Sequence, residues 1–495
     1  MTHLILMPVL IPLLAGVLIL LEASQRLLLR RLTGLVATVL ALPVAWLLWQ
    51  QAAAGDIAVY RLGNWLPPFG IVLVLDQMAA LMLLVTAVLA LVVYLHALRG
   101  DDQLGVNFHA LFQFQLLGIN GAFLTGDLFN LFVFFEVLLI ASYALLMHGQ
   151  GPARAKAGLH YVILNLAGSS LFLFGLGLIY GATGTLNMAD VARVIAAGEL
   201  VSPLLLQVGG ALLLVVFCLK SALLPLSFWL PGAYAAASAP VAALFAIMTK
   251  VGLYSIWRLW SLMYGMEASP LAALVAPWLW WLALATLAFA AFGALSATRL
   301  AALAAWLVLM SVGTLMAVLS SASVEAWAAG LFYLVHSTWS AAALFLLVGL
   351  IRVRRGAEAD ALRAGPALPA SLGLLFIVVA VMLVGLPPLS GFIGKLLMLQ
   401  ALPSPLFWMV LLLASLLVLI AFSRAGSTLF WRGHNEPGGA VAWADMLPTL
   451  LLLAACLALV VLAGPVAEIF DGIATQLMDG EAYVRAVLPT QEVTP

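Results

Sequence analysis

Windows of about 20 consecutive apolar residues dominate this sequence, and about 14 of them can be placed between residues 4 and 464. Hydrophobic residues make up 65% of the 495 positions, and charged residues only 8%, against about 25% in a soluble domain. Because a soluble core cannot absorb so large an apolar fraction, the sequence predicts an all-α polytopic membrane protein with about 14 transmembrane helices. The N-terminal window lacks a basic start and a small-residue cleavage site, so we expect it to be the first span.

The charge balance and the cysteines exclude several classes of protein. The 20 basic residues are matched by 20 acidic ones, so nothing indicates a nucleic-acid partner. Cys218 and Cys456 both lie in apolar windows and indicate neither a disulfide framework nor a metal site. No redox motif is present, and we expect no cofactor.

The few charges carry the information about topology. Of the basic residues, 13 follow odd-numbered windows and 4 follow even-numbered ones, which places both termini outside the cytoplasm. The other 3 are Lys220, Lys250 and Lys395, all within windows. The arginines are therefore assigned to loops, while three of the four lysines are intramembrane. Since a buried lysine can give up its proton and arginine effectively cannot, this partition favours a function for the lysines.

The stretch 214–257 is where two of these lysines meet a predicted helix break. Lys220 and Lys250 flank Pro225 and Pro231, which remove backbone donors and interrupt helices. A lysine near mid-membrane costs at least about 2.5–3.5 kcal/mol on insertion scales. Snorkelling to the interface is the alternative, and it is harder for the mid-span Lys250. Broken helices at membrane depth line cavities, so we interpret this stretch as an ion or proton path.

The twelfth window, 370–401, repeats part of this pattern. Pro387, Pro388 and Gly391 predict a second break, and Lys395 follows it. Windows seven and twelve both contain Pro-Leu-Ser near a lysine, as expected of inverted repeats. A shared tripeptide is a weak signal by itself.

Two further ionisable residues lie within windows. Glu136 in window five is either neutralised by a structural partner or functional, and intramembrane acids are functional by default. A carboxylate near Lys220 would favour the charged amine, so we expect a gate built from one ion pair. His336 in window eleven is either a satisfied core residue or a proton relay. We favour the relay, because its window holds no other ionisable group.

Softer polar residues complete the candidate path. We expect Asn165, Ser169 and Ser311 either to hold water between the ionisable groups or only to serve helix packing. Asp76 and Asp127 are predicted helix caps. Residues 57–75 are β-branched with Gly-Asn and Pro-Pro punctuation, which predicts a hairpin.

Three long segments, in this order, resemble the proton-translocating antiporter-like subunits, the family that includes the large membrane subunits of respiratory complex I and of Mrp-type cation/proton antiporters. They are FLTGDLFNLFVFFEVLLIASYALL, LPLSFWLPGAYAAASAPVAALFAIMTKVGLY and GLPPLSGFIGKLL. Within the family the chain is most similar to the D-type subunits of Mrp antiporters, also called PhaD or MnhD. Complex I subunits of the M type typically have a glutamate where this chain has Lys395, which is why we rank the Mrp type first.

The resemblance implies a fourteen-helix subunit with two inverted five-helix repeats, spans 4–8 and 9–13, and broken helices in spans 7 and 12. The expected divisions are 1–103 with an external hairpin, 104–263, 264–430, and 431–495 with span 14 and an external tail. A midplane row of ionisable residues is implied as the proton path: Glu136, Lys220, Lys250, His336 and Lys395.

The resemblance also implies the function and the partners. We expect a proton-translocating subunit, not an enzyme, of a multi-subunit Na⁺(K⁺)/H⁺ antiporter in a bacterial inner membrane, with A-type, C-type and other small membrane subunits, the lipid bilayer, H⁺ and either Na⁺ or K⁺ as partners. The alternative is a proton-pumping subunit of a complex I-like oxidoreductase or a membrane hydrogenase. An inert scaffold would not explain three intramembrane lysines.

Overall fold

The computed structural model describes residues 2–22, 26–433 and 441–488, which are almost entirely helical. The first helices are α1 (Met7–Leu21), α2 (Leu27–Ala52), α3 (Gln77–Ala97), α4 (Phe108–Leu124), α5 (Leu128–Met147), α6 (Pro152–Thr183) and α7 (Met188–Ala197). The central helices are α8 (Pro203–Ser221), α9 (Trp229–Ala236), α10 (Ala239–Phe245), α11 (Met248–Leu259), α12 (Ala272–Ser296), α13 (Leu300–Leu319) and α14 (Val324–Arg355). The last are α15 (Ala370–Val384), α16 (Ser390–Ala401), α17 (Pro405–Gly426), α18 (Trp443–Val461), α19 (Ala463–Met478) and α20 (Gly480–Val487).

Within the described residues, 12 helices are long and apolar enough to cross a membrane, so the chain is a multi-pass membrane protein. Two predicted windows are not among them. The fourth forms α4, which is only 17 residues long, and the twelfth is split into α15 and α16. The count of about 14 therefore stays a prediction.

The predicted hairpin is confirmed. Strands β1 (Ala58–Arg61) and β2 (Val72–Leu75) pair antiparallel, with Ala58 opposite Leu75 and Arg61 opposite Val72. All of β2 is buried, because it continues directly into the N-terminus of α3 inside the bundle.

Both predicted helix breaks are confirmed, although not every predicted residue lies in them. Helix α8 ends at Ser221 and α9 begins at Trp229, with Pro225 in between. Pro231 instead lies in the first turn of α9. An N–H group there has no intrahelical acceptor, so a proline is tolerated in this turn and does not break the helix.

The second break lies between α15 and α16 and contains Pro387 and Pro388. It begins at Gly385, whose φ of +83° is a left-handed conformation that favours glycine. Gly391 lies in the first turn of α16, not in the break, and its role is close approach. A Cβ atom there would collide with the carbonyl oxygen of Met382.

The loops sort onto two opposite faces of the bundle. On one face, Ser261 donates to the carbonyl of Leu477, and Gln476 donates to the carbonyl of Gly55. These contacts bring the loop after window two and the end of window eight together with α19, which packs on this chain itself. The other face carries the arginine-rich loops. This grouping is the one that the basic residues predict, and which face is outside stays a prediction.

Candidate functional site

The five candidate residues lie on five different helices that surround the two breaks. Lys220, Lys250, His336 and Lys395 are at most 6% exposed, and Glu136 is half-buried. Buried ionisable groups need hydrogen-bond partners, so their neighbours decide what each group can do.

Glu136 and Lys220, the predicted pair, lie on either side of one hydroxyl group. Ser169 on α6 donates a hydrogen bond to the Glu136 carboxylate. The Lys220 ammonium lies 3.5 Å from the same Ser169 hydroxyl oxygen, and it donates to the backbone and side-chain oxygens of Asn165 at 3.2 and 3.3 Å. Among the described residues no ion pair within 4 Å joins the two charges. The hydroxyl group of Ser169 therefore links carboxylate and amine.

Among the described residues, the ammonium group of Lys250 has one hydrogen-bond partner, and this partner is neutral. Its ammonium donates to the hydroxyl of Ser311 on α13 at 2.6 Å, and Ser311 in turn donates to the carbonyl of Val308. The lysine follows the short interruption between α10 and α11 at residues 246–247, inside a span that is buried throughout. The structure thus gives Lys250 a neutral partner in the second half of the chain.

His336 lies against the second break. Its Nδ1 is 2.9 Å from the hydroxyl of Ser390, the first residue of α16. On the other side of the ring, a Cβ atom at Gly391 would lie 3.0 Å from Nε2. Glycine at this position therefore lets the broken helix approach the imidazole.

Lys395 is the last residue of the row and lies about one turn after the start of α16. It donates to the carbonyl of Val384 at 2.7 Å and to the hydroxyl of Ser415 on α17 at 2.8 Å. The Val384 carbonyl is at the end of α15, where the last helical carbonyls lack intrahelical donors. The break thus supplies the acceptor that holds the buried amine, and a cavity of about 260 Å³ lies beside it.

Every ionisable residue of the row has a serine hydroxyl as a neighbour on another helix. Ser169 and Ser311 were among the predicted polar residues, whereas Ser390 and Ser415 were missed. Ser390 lies in the Pro-Leu-Ser tripeptide, so a signal was present but was interpreted only as a helix break. A hydroxyl both donates and accepts, so it can pass a proton between unlike neighbours.

A buried ion pair between Asp76 and Arg258 was also missed. Asp76 caps α3 by accepting from Ala79, as predicted, but it also binds the Arg258 guanidinium through both carboxylate oxygens. Tyr254, one turn before Arg258, accepts from the same guanidinium at 2.9 Å. Both charges are at most 5% exposed, so α3 and α11 are joined at this face.

The part of the chain that holds the five candidate residues is similar to a known family of proteins. Residues 125–421 match the family model described as NADH:quinone oxidoreductase/Mrp antiporter, TM, and this range contains all five candidate residues. The chain belongs to this family. The family match covers both helix breaks and the helices around them.

Two curated members of the antiporter family match over nearly their whole length. The D-type subunit of a probable K⁺/H⁺ antiporter from Rhizobium meliloti is 43% identical, over 98% of this chain and 97% of that protein. The D-type subunit of a Na⁺/H⁺ antiporter from Bacillus subtilis is 35% identical, over 99% of this chain and all of that protein.

Two solved structures have the same fold as this chain. A chain of an archaeal membrane-bound sulfane sulfur reductase superposes with a TM-score of 0.89 at 27% identity, covering 98% of this chain and 99% of that one. A chain of the Mrp complex from Dietzia gives a TM-score of 0.87 at 27% identity, covering 99% of each chain. The fold is therefore common to antiporter and respiratory complexes.

Proposed function

We propose that this chain is the D-type subunit of a Mrp-type monovalent cation/proton antiporter and that it carries protons through Glu136, Lys220, Lys250, His336 and Lys395. The observation that supports this proposal most is the 43% identity, along almost the whole length of both proteins, to the D-type subunit of an antiporter. The two solved structures do not separate an antiporter from a respiratory complex, because both are 27% identical to this chain. The curated relatives do separate the two, because both are named as subunits of antiporters.

The chemistry of the row fits proton transfer. A proton-conducting residue must both hold and release a proton, and a neutral hydroxyl or carbonyl partner stabilises an ammonium without fixing it as a carboxylate would. Lys250 and Lys395 have such partners. In our mechanism Glu136 and Lys220 exchange a proton through Ser169, and the proton then reaches Lys250, His336 and Lys395 by way of intervening water.

The proposal includes partners and a location. We infer that the chain assembles with A-type, C-type and other small membrane subunits, in a bacterial inner membrane and with both termini on the outer face. The likeness to a chain of the solved Mrp complex supports assembly with other subunits. The ion exchanged for H⁺ is Na⁺ or K⁺, since the named relatives divide between these two.

The test uses the complete antiporter complex in everted membrane vesicles. Dissipation of a respiration-generated ΔpH on addition of Na⁺ or K⁺ measures antiport, and an immunoblot of the solubilised complex measures assembly. We expect Glu136→Ala and Lys220→Ala each to abolish antiport at normal assembly. Near-normal transport in either variant would contradict the proposed path, and co-purification with redox subunits would instead support a respiratory complex.

A further inference from the structure

Helix α9 contacts the backbone next to Lys220 and the end of α10, which precedes Lys250. Trp229, its first residue, donates from Nε1 to the carbonyl of Leu219, the residue before Lys220, at 3.1 Å. Tyr234 donates its hydroxyl hydrogen to the carbonyl of Phe245, the last residue of α10, at 2.8 Å. A displacement of α9 would therefore reach the turn that carries Lys220 and the helix break that precedes Lys250.

The C-terminal end of α9 is bound by two arginines from other helices. Arg154 on α6 donates from Nε to the carbonyl of Ala236 at 3.1 Å. Arg352 on α14 donates to the carbonyls of Ala235 and Ala237 at 3.1 and 3.2 Å. The last carbonyls of a helix lack intrahelical donors and carry the negative end of the helix dipole, so two guanidinium groups stabilise this end both by hydrogen bonds and by charge.

Both arginines are themselves anchored away from α9. Arg352 donates from Nε to the carboxylate of Asp360 at 3.0 Å, and Arg299 binds the same oxygen at 2.7 Å. Asp360 is fully buried, and the two arginines hold its pKa below the usual range. Arg154 also donates to the carbonyl of His148 at the end of α5. The guanidinium groups are therefore fixed to the rest of the bundle, and α9 is the element that they hold.

The helices that supply these arginines also carry the proposed path. Helix α6 bears Ser169, which links Glu136 to Lys220, and α14 bears His336. One arginine thus connects α9 to the first half of the row and the other connects it to the second half.

We propose that Arg154 and Arg352 are positioning residues that clamp the C-terminal end of α9 and thereby set the relative positions of Lys220 and Lys250. This inference rests on the proposed function, because it assigns the clamp to the same proton path. Neither arginine carries the proton, since a guanidinium does not release one in the working pH range.

The test combines transport with a measurement that does not depend on transport. We would compare Arg154→Gln and Arg352→Gln with Arg363→Gln, a matched control. Arg363 lies on the same arginine-rich face, and its side chain is 67% exposed and pairs with Glu358. Hydrogen–deuterium exchange of residues 229–237 in the purified complex measures how well α9 is ordered. The rate and pH profile of antiport per assembled complex measure proton transfer through the five ionisable residues.

We expect both clamp variants to speed exchange in α9 and to shift the pH profile. Arg154→Gln removes one charge-assisted hydrogen bond to α9 and should lower antiport by about tenfold, and Arg352→Gln removes two and should lower antiport at least as much. The double variant should lose less than the product of the two single losses, because both act through α9. The control should match the wild type.

Three results would overturn the clamp: unchanged exchange in α9, faster exchange with an unchanged antiport rate and pH profile, or an equal loss in Arg363→Gln. A wild-type complex without antiport would contradict the proposed function instead, and in that case unchanged exchange in α9 would still overturn the clamp.

Discussion

Lys250 on α11 donates a 2.6 Å hydrogen bond to the hydroxyl of Ser311 on α13. The bond joins residues 61 positions apart, one in each of the two predicted repeats, 104–263 and 264–430. Within the described residues no carboxylate lies within ion-pair distance of Lys250. A buried lysine without a fixed counter-ion is poorly explained as a structural charge, and this favours a role in proton exchange.

The first prediction follows from this bond. Lys250→Arg should fail nearly as badly as Lys250→Ala, because an arginine pKa above about 12 prevents proton release. Antiport in everted vesicles at matched assembly is the measurement. Wild-type transport by the arginine variant would mean that position 250 needs only a fixed positive charge.

The second prediction concerns the hydroxyl between Glu136 and Lys220. Ser169→Ala removes that hydroxyl and should lower the antiport rate by about tenfold, the effect of losing a hydrogen bond to a charged group. The neighbouring Ser170 is exposed and donates to the carbonyl of Leu166 on its own helix, so Ser170→Ala is a matched control that should leave transport unchanged. Equal rates in the two alanine variants would remove Ser169 from the path.

The third prediction concerns the end of the row. Lys395→Glu should keep part of the transport with an altered pH optimum, because a glutamate can exchange a proton and donates to the Val384 carbonyl only when protonated. Lys395→Leu should lose transport. The pH profiles of both variants at matched assembly decide this. Equal loss in both would show that a positive charge is required, and a fully active leucine variant would exclude position 395.

The fourth prediction concerns the buried pair of Asp76 and Arg258. Removing one partner leaves the other charge buried without a counter-ion. Asp76→Asn and Arg258→Met should therefore each destabilise the protein by about 3–5 kcal/mol. Asparagine can still cap α3, so the first variant isolates the effect of charge. The double variant should recover much of the loss in thermal unfolding of the purified protein. Additive destabilisation would show that the two charges do not act as a pair.

The fifth prediction concerns Asp101 in the turn before α4. Burial raises the pKa of its carboxyl from 3.8 to about 6, although Arg154 and Arg352 oppose the rise. Because the folded state favours the protonated acid, this contribution to stability is present below about pH 4 and is lost as the pH rises through about 6. The loss is about 1–3 kcal/mol, since the side chain is partly exposed and water screens it.

Asp101→Asn should remove this pH dependence. The unfolding temperature of the variant should match the wild type near pH 4 and exceed it above pH 6. As a control, Asp56→Asn changes an exposed carboxylate and should leave the pH profile unchanged. Parallel profiles for wild type and Asp101→Asn would contradict the assignment.

The sequence by itself determined the class of fold, both helix breaks and the hairpin. These features depend on local chemistry: apolar windows of membrane length, prolines without an N–H donor, and β-branched residues between turn signals. It also placed the five ionisable residues in apolar segments, where a cost of insertion marks them as candidates regardless of how the helices pack. Asp76 and Asp127 were found as helix caps for the same reason, since capping depends on residues three positions apart.

Only the tertiary structure decided which partner each group has. Lys220 lies 55 residues from Asn165 and Lys250 lies 61 from Ser311, and no periodicity predicts contacts between helices so far apart. The sequence could not predict that the Ser169 hydroxyl lies between Glu136 and Lys220, because opposite charge indicates attraction but not which side chain lies between. The partner of Arg258, Asp76, is likewise 182 residues away in the sequence. Helix packing creates these partners, and packing depends on the shape of the whole bundle.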